Sequence, residues 1–347
     1  MVALWATCQC ALPAAECGAL RSEAEALGGS ALDACGGSSR GRGYDARVND
    51  AHEEQQFGAV TVLYGDRRGR YPSGNTLIVR GRDQSLAIDP SLGLVARGPQ
   101  PPRVDRVLHS HCHEDHFAGS FLYPDLPWLF HEADLPGIRS LDALMDLYGY
   151  AEPIRSAWSK AVVAQFNFTP RPDATAYRSG EVFDLGGVTV EAIHAPGHTR
   201  GHCFLRIEPV GMVYLADVDL SSFGPYYGDA WSDLDDFERT LAMAREIDAR
   251  YYATFHHIGV IEGKAPYVER LDRFAAVIAD RERRLLAYLA EPRTLDEIVA
   301  HRFVYRPQDQ VMFADAVERR SSALHIARLA RDGRVREPEP GRYVRAQ

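Results

Sequence analysis

An α/β fold with a small helical module at its C-terminal end is the architecture this sequence predicts, and three observations carry the prediction. Short β-rich runs recur between residues 57 and 265, each bounded by Gly, Asp or Pro: "AVTVLYG", "NTLIVRG", "SLAIDP", "VDRVLHS", "GVTVEAIHAPGHT", "HCFLRIEP", "GMVYLADVDL" and "YYATFHH". Helical patterns interrupt them, in "LDALMDLYGY" and "IRSAWSKAVVAQF" within 132–165 and again in "DLDDFERTLAMAREIDA". From residue 266 the pattern changes to helix, helix and hairpin.

In chain order, residues 1–56 are rich in Ala, Gly and Ser and read as an extension with the composition of a flexible segment. The first twenty residues are apolar but have no basic start, and Glu16 interrupts them, so a secretory signal is not expected. The body, 57–265, carries the strands. Its helix at "DLDDFERTLAMAREIDA" has acidic residues in the first turn and an apolar stripe at Leu234, Phe237, Leu241 and Ala244. The C-terminal part, 266–347, opens with a long helix over 266–290. "TLDEIVAH" then begins with a Thr cap and places Glu297 three residues later. A longer helix ends at Gly333, and "RVREPEPGRYVRA" reads as two short strands around a Pro/Gly turn. Together these suggest a winged-helix-like module.

With 347 residues the chain is long enough for about two domains, or one large domain with an appendage. Its 46% hydrophobic and 25% charged residues are ordinary for a globular protein, and a net charge of -9 gives no global nucleic-acid signature. The charge is uneven. From Arg281 onwards there are 14 arginines, no lysine and 10 acidic residues, a basic tail on an acidic body. No apolar run approaches membrane-spanning length. Cys8, Cys10, Cys17 and Cys35 lack the paired spacing of a zinc ribbon, and Cys112 and Cys203 lie far away; six free thiols point to a reducing cytoplasm.

The chemistry concentrates in "VLHSHCHEDHFAGS", residues 107–120, which holds four of the 13 histidines beside Glu114 and Asp115. His111 and His113 are two apart, so on an extended segment both face one way. Cys112 between them faces the other. Asp115 and His116 follow where the chain can turn into a helix. One loop can thereby aim two imidazoles at one point, and a carboxylate and an imidazole at another. Borderline metals such as zinc favour that mixture of N and O donors. His109 is the odd one out and reads as a buried or outlying residue. Further ligands should come from other strand ends: His198 in "APGHTRGH", Asp217 in "VYLADVDL" with Asp219 as a rival, and His256 or His257 in "TFHHIG". His194, His202, Asn75 and Gly74 read as structural residues. Phe223, Tyr226 and Tyr227, in an aromatic loop after Asp217, are candidates for a substrate wall.

H-x-H-x-D-H, then P-G-H-T, then a strand-end Asp and a late His resembles the metallo-β-lactamase-fold hydrolases. The resemblance covers about residues 57–265. It implies an αββα four-layer sandwich with the site at one edge between the sheets. It further implies that His111, His113 and His198 hold one divalent metal, that Asp115, His116 and a late His hold a second, and that Asp217 bridges them. "HHIGVIEG" is similar to the family's H-G-x-V-I run when His257 is the ligand, with Ile258 at the usual glycine position; that departure keeps His256 in play. Zinc is the expected metal, with iron or manganese as alternatives.

Two cations about 3.5–4 Å apart can share a hydroxide, and metal binding brings the pKa of water to about 7. The expected activity is therefore hydrolysis of an ester-type bond in a small-molecule substrate, such as a thioester or lactone. Asp115 would orient the nucleophile or relay its proton. Three other readings compete. A phosphodiesterase or ribonuclease would use the arginine-rich module on nucleic acid. A mononuclear iron persulfide dioxygenase would leave Asp115 and His116 idle as ligands. A non-catalytic binding module is the last.

Overall fold

The computed structural model describes residues 53–346. The extension 1–56 falls almost entirely outside the described residues, as do Cys8, Cys10, Cys17 and Cys35. Among the described residues the first strand starts slightly before Phe57: β1 (Glu54–Phe57) pairs antiparallel with β2 (Val60–Leu63).

Two sheets form the body. The first continues from β2 through β3 (Thr76–Arg80), β4 (Ser85–Ile88), β5 (Arg106–Leu108), β6 (Trp128–His131) and β7 (Thr175–Tyr177), in sequence order. It is antiparallel up to β4 and parallel beyond. The second contains β8 (Val182–Asp184), β9 (Thr189–His194), β10 (Cys203–Glu208), β11 (Met212–Tyr214), β12 (Tyr251–Ala253) and β13 (Val260–Glu262), in the order β13-β12-β11-β10-β9-β8.

Side-chain alternation explains the stacking. Leu77 and Val79 of β3 point into a core shared with Val190, Leu205 and Tyr214 of the second sheet, while Ile78 points outward. The outward face of the first sheet is covered by α3 (Leu135–Arg139), α4 (Leu141–Tyr148) and α5 (Ile154–Gln165), through residues such as Leu144, Leu147 and Trp158. Two one-turn helices precede them, α1 (Leu92–Val95) and α2 (Glu114–Phe117). The second sheet is covered by α6 (Leu234–Glu246) and the first half of α7 (Lys264–Tyr288), through Phe237, Leu241, Tyr267, Leu271 and Phe274. The body is thus an αββα sandwich. Because both faces of each sheet are covered, central strands such as β4 are buried at every position rather than alternating with polar residues.

The far end of α7 belongs to a separate small core, with Leu285 and Leu289 packed against Ile298, Phe303, Ile326 and Val335. Around it lie β14 (Arg293–Thr294), α8 (Leu295–His301), α9 (Ala314–Arg331) and the hairpin β15 (Val335–Glu339)–β16 (Arg342–Arg345), in a three-stranded sheet ordered β14-β16-β15. The Thr294–Glu297 capping box expected from sequence is present at the start of α8. Most arginines of this segment are engaged within the protein. Arg302 pairs with Asp315, Arg319 with Asp296, Arg328 with Glu238 and Glu282, and Arg331 with Asp235. Among the described residues no helix is long and apolar enough to cross a membrane.

Candidate metal centre

The parallel strands direct their C-terminal ends to one edge, where ligand-rich loops of α/β proteins collect. Strand β5 ends at Leu108 and delivers the histidine cluster; β11 delivers Asp217 and β12 delivers His256. Two groups of ligand atoms result. His111, His113, His198 and Asp217 form one, and Asp115, His116 and His256 the other, with the atoms of each group within 4.8 Å of one another.

Asp217 joins the groups. Its Oδ2 lies 3.2 Å from His198 Nε2 and 4.0 Å from His111 Nε2. Its Oδ1 lies 2.9 Å from His116 Nε2 and 3.9 Å from His256 Nε2. Each carboxylate oxygen therefore faces a different group. Asp115 Oδ2 is 3.0 Å from His256 Nε2. Asp115 Oδ2, His116 Nε2, His198 Nε2 and Asp217 Oδ1 are buried without a well-formed hydrogen bond. Buried polar atoms are rarely left so, and a converging set of them is a donor shell that fits divalent cations.

Of the two late histidines it is His256, and not the expected His257, that joins the second group. His257 has a left-handed backbone (φ 62°). It is about a third exposed and lies 3.8 Å from Asp219, outside both groups. Asp219 likewise joins neither group. His256 is buried, and its Nδ1 contacts the Gly69 carbonyl at 2.7 Å, which leaves Nε2 to face the site. Asn75 explains why this strand end is held so firmly. Its side chain donates to the carbonyls of Arg68 and Thr254 (3.1 and 3.2 Å), and its backbone N–H to that of Phe255. Gly74 is needed beside it, with φ +71° and the Phe255 ring 2.1 Å from where a Cβ would stand.

Four histidines of the two groups, His111, His116, His198 and His256, have the second ring nitrogen in a hydrogen bond, and His113 turns its Nε2 toward the Asp229 carboxylate without a well-formed one. His111 Nδ1 contacts Ser110 Oγ at 3.0 Å and His198 Nδ1 the Tyr226 carbonyl at 2.9 Å. His116 Nδ1 is 2.8 Å from Asp89 Oδ2, and His113 Nε2 is 3.0 Å from Asp229 Oδ2. Such outer partners fix the ring orientation and the tautomer of metal-binding histidines. Burial lowers the affinity of His113 for a proton, but Asp229 more than offsets it and holds the pKa at about 9. His256 likewise stands at about 9, with burial opposed by Asp217 and Asp115.

Three buried carboxylates, Asp89, Asp134 and Asp229, are essential to this arrangement and were not singled out from sequence. Asp89 accepts from Ser110 N–H (2.7 Å), Ser110 Oγ (2.5 Å) and the Tyr214 hydroxyl (2.7 Å), besides its contact with His116. Asp134 accepts from Cys112 N–H (3.1 Å), Thr199 Oγ1 (2.6 Å) and Gly201 N–H (2.7 Å), tying the first histidine loop to the loop of His198. The "DP" that closes "SLAIDP" was the only trace of Asp89 in the sequence, a strand-end acid like Asp217. Nothing local marks Asp134 or Asp229.

The residues read as structural are so placed. His109 stacks on Phe130 at 3.9 Å and contacts Ser120 Oγ and the Leu129 carbonyl; burial pushes its pKa down to about 4. His202 contacts the Ala195 carbonyl through Nδ1 and accepts from Asp217 N–H through Nε2, and burial brings it to about 3. His194 stacks on His131, away from both groups. Cys112 points into the core, against Gly137. Glu114, between the ligands in sequence, also faces away from them: its carboxylate accepts from the hydroxyls of Tyr71 (2.9 Å) and Tyr148 (2.5 Å). Burial and the neighbouring Asp115 push its pKa up to about 7.

The model of the Metallo-beta-lactamase superfamily matches residues 72–257. The chain belongs to that superfamily. It is 26% identical over 304 residues, 81% of this chain and 78% of the relative, to an atrochrysone carboxyl ACP thioesterase of Pseudocercospora fijiensis. It is 24% identical over 169 residues, 43% of this chain and 60% of the relative, to an acyl-coenzyme A thioesterase of Bos taurus. Among solved structures, a metallo-beta-lactamase family protein from Thermus thermophilus superposes with a TM-score of 0.61 at 22% identity, covering 83% of this chain and 99% of that one. That likeness bears on the superfamily fold alone.

Proposed function

We propose that this chain is a dinuclear metal-dependent hydrolase of thioesters or related esters. The observation that carries the proposal is the placement of Asp217, whose two oxygens face two separate ligand groups. In this reading His111 Nε2, His113 Nδ1 and His198 Nε2 hold one cation, Asp115, His116 and His256 the other, and Asp217 both. Bound there, zinc or a similar ion would supply a water of lowered pKa and polarise the substrate carbonyl. Asp115 turns its Oδ2 toward His256 within the second group, and its other oxygen would orient the nucleophile or relay its proton. Asp89 and Asp229 keep the His116 and His113 rings aimed. The thioester class is supported by the names of the two curated relatives.

The order α8, α9, hairpin supports reading the C-terminal module as winged-helix-like. Its arginines, the reason for considering a nucleic-acid partner, are largely spent on internal partners, which leaves the ribonuclease reading without a specific observation in its favour. Cys112 and Cys203 are buried free thiols, in keeping with a reducing cytoplasm.

The deciding experiment is metal content per polypeptide by elemental analysis, with hydrolysis of an acyl-coenzyme A followed by release of free thiol. Two equivalents of metal and turnover abolished by a chelator are expected. One equivalent or none after loading, or turnover indifferent to chelation, would overturn the proposal.

A further inference from the structure

We infer that the C-terminal module is a working part of the metal centre: Arg320 holds residues 229–232 in the register at which the Asp229 carboxylate faces His113 and the Ser232 hydroxyl holds the His198 carbonyl. The inference rests on the metal-site reading above and extends it to residues remote from the ligands.

The segment 223–232 has no regular hydrogen-bond ladder of its own, so its buried carbonyls need donors from elsewhere. Two arginines of the C-terminal helices provide them. Arg281, fully buried on α7, donates to the carbonyls of Pro225 (2.5 Å) and Phe223 (2.8 Å). Arg320, half-buried on α9, donates through Nε to the Asp229 carbonyl (3.2 Å) and through Nη2 to the Ser232 carbonyl (3.1 Å). A guanidinium spans two acceptors with one planar fork, which an ammonium cannot do. Helix α9 adds two further contacts. His325 Nε2 lies 2.9 Å from the Tyr227 hydroxyl, and Val317 packs so tightly on Gly228 that a Cβ there would stand 2.4 Å from it.

The residues that Arg320 grips are those that orient the ligands. Asp229 presents its carboxylate to His113 Nε2 at 3.0 Å. Ser232 Oγ donates to the His198 carbonyl at 2.7 Å. Between them Tyr226 offers its carbonyl to His198 Nδ1 and its hydroxyl to Asp229 Oδ1 (3.1 Å). One residue of α9 is therefore two contacts from two ligands of the same cation. Arg320 is a positioning residue, and its loss should free the rings of His113 and His198 while leaving all seven proposed ligands in the chain. Removing a partner bonded directly to a ligand typically costs about 10–100-fold in metal affinity, and Arg320 acts one step further out, through Asp229 and Ser232.

The test uses the full chain as wild type, Arg320→Met, Arg320→Lys, and Arg331→Ala as a control, since Arg331 is an exposed partner of Asp235. Three quantities are read: zinc affinity by competition with a chromophoric chelator, the visible absorption bands of the Co2+-loaded protein, and the thermal midpoint of the metal-free protein. Arg320→Met should bind zinc up to about 10-fold more weakly, the low end of the effect of a direct partner, and shift the Co2+ bands. Arg320→Lys should fall between it and wild type, and Arg331→Ala should match wild type. A lower thermal midpoint with zinc affinity and Co2+ bands unchanged would overturn the inference and make Arg320 a fastening of the fold only. Should Arg320→Met fail to fold, the milder Arg320→Lys decides on the same readouts. Wild-type protein that takes up neither zinc nor Co2+ would instead sink the metal-site reading, a separate and recognisable outcome that removes this inference with it.

Discussion

Replacing Asp89 with asparagine isolates the role of the carboxylate that backs His116. The side chains have the same shape, so packing is retained. In the native protein Asp89 Oδ1 accepts one donor, Ser110 N–H, while Oδ2 faces three: Ser110 Oγ, His116 Nδ1 and the Tyr214 hydroxyl. An asparagine must turn its NH2 toward one side. The cheaper choice keeps oxygen at the Oδ2 position and sets NH2 against Ser110 N–H, leaving a buried backbone donor unpaired at about 1–3 kcal/mol. Loss of the charge-assisted contact with His116 adds a similar amount, for a total of about 2–4 kcal/mol. At about 2–4 °C per kcal/mol for a domain of this size, the metal-free midpoint should fall on the order of 4–16 °C in a thermal melt. Zinc affinity, measured by chelator competition, should fall about 10–100-fold because the amide oxygen that then faces His116 Nδ1 carries no charge and holds the ring less firmly. A melt and a zinc titration that both match wild type would refute the role given to Asp89. A lower midpoint with unaltered affinity would reduce it to packing.

Other expectations follow from the same geometry. His256→Ala should lower bound metal by about one equivalent in elemental analysis while His257→Ala leaves it at the wild-type value; the reverse would restore the sequence-based choice of His257. Asp115→Ala should abolish thioester turnover with the circular dichroism spectrum preserved, and retained turnover would end its proposed role. Gly228→Ala should destabilise by about 1–3 kcal/mol in chemical denaturation, because its Cβ would overlap Val317; an unchanged midpoint would show that α9 yields freely at that contact. Glu282 is held at about 2, below its ordinary 4.5, by His325 and Arg328, so the stability it contributes is complete above about pH 4.5 and is lost as pH falls toward 2. Glu282→Gln should flatten the stability profile in that window, and a profile as steep as wild type would disprove the linkage.

The sequence by itself determined where the histidines and carboxylates of the first loop cluster. In H-x-H-x-D-H the spacing alone places His111 and His113 on one side and Cys112 on the other, because an extended chain alternates. It also determined the helix boundaries, where a cap is a local event: the Thr294–Glu297 box and the turn at Gly333 depend on neighbours a few residues away. Strands with no local signature were missed, among them Trp128–His131 and Val260–Glu262, since pairing in a sheet is decided by partners distant in the chain.

Only the tertiary structure separates His256, which joins the second group, from His257, which does not. Two adjacent histidines are equivalent by composition, and the choice turned on a left-handed residue and on Asn75, 179 residues away from the carbonyl it holds. Only it revealed Asp89, Asp134 and Asp229, because a buried acid in a loop resembles an exposed one until its donors are seen. The same holds for the arginines of the C-terminal part. As a sequence they form a positive tail; in the folded chain Arg281 and Arg320 are spent on carbonyls of the loop that backs the histidines. Short-range spacing groups His111, His113, Asp115 and His116, whereas joining them to His198, Asp217 and His256 and aiming the rings requires buried partners that approach only when distant segments pack.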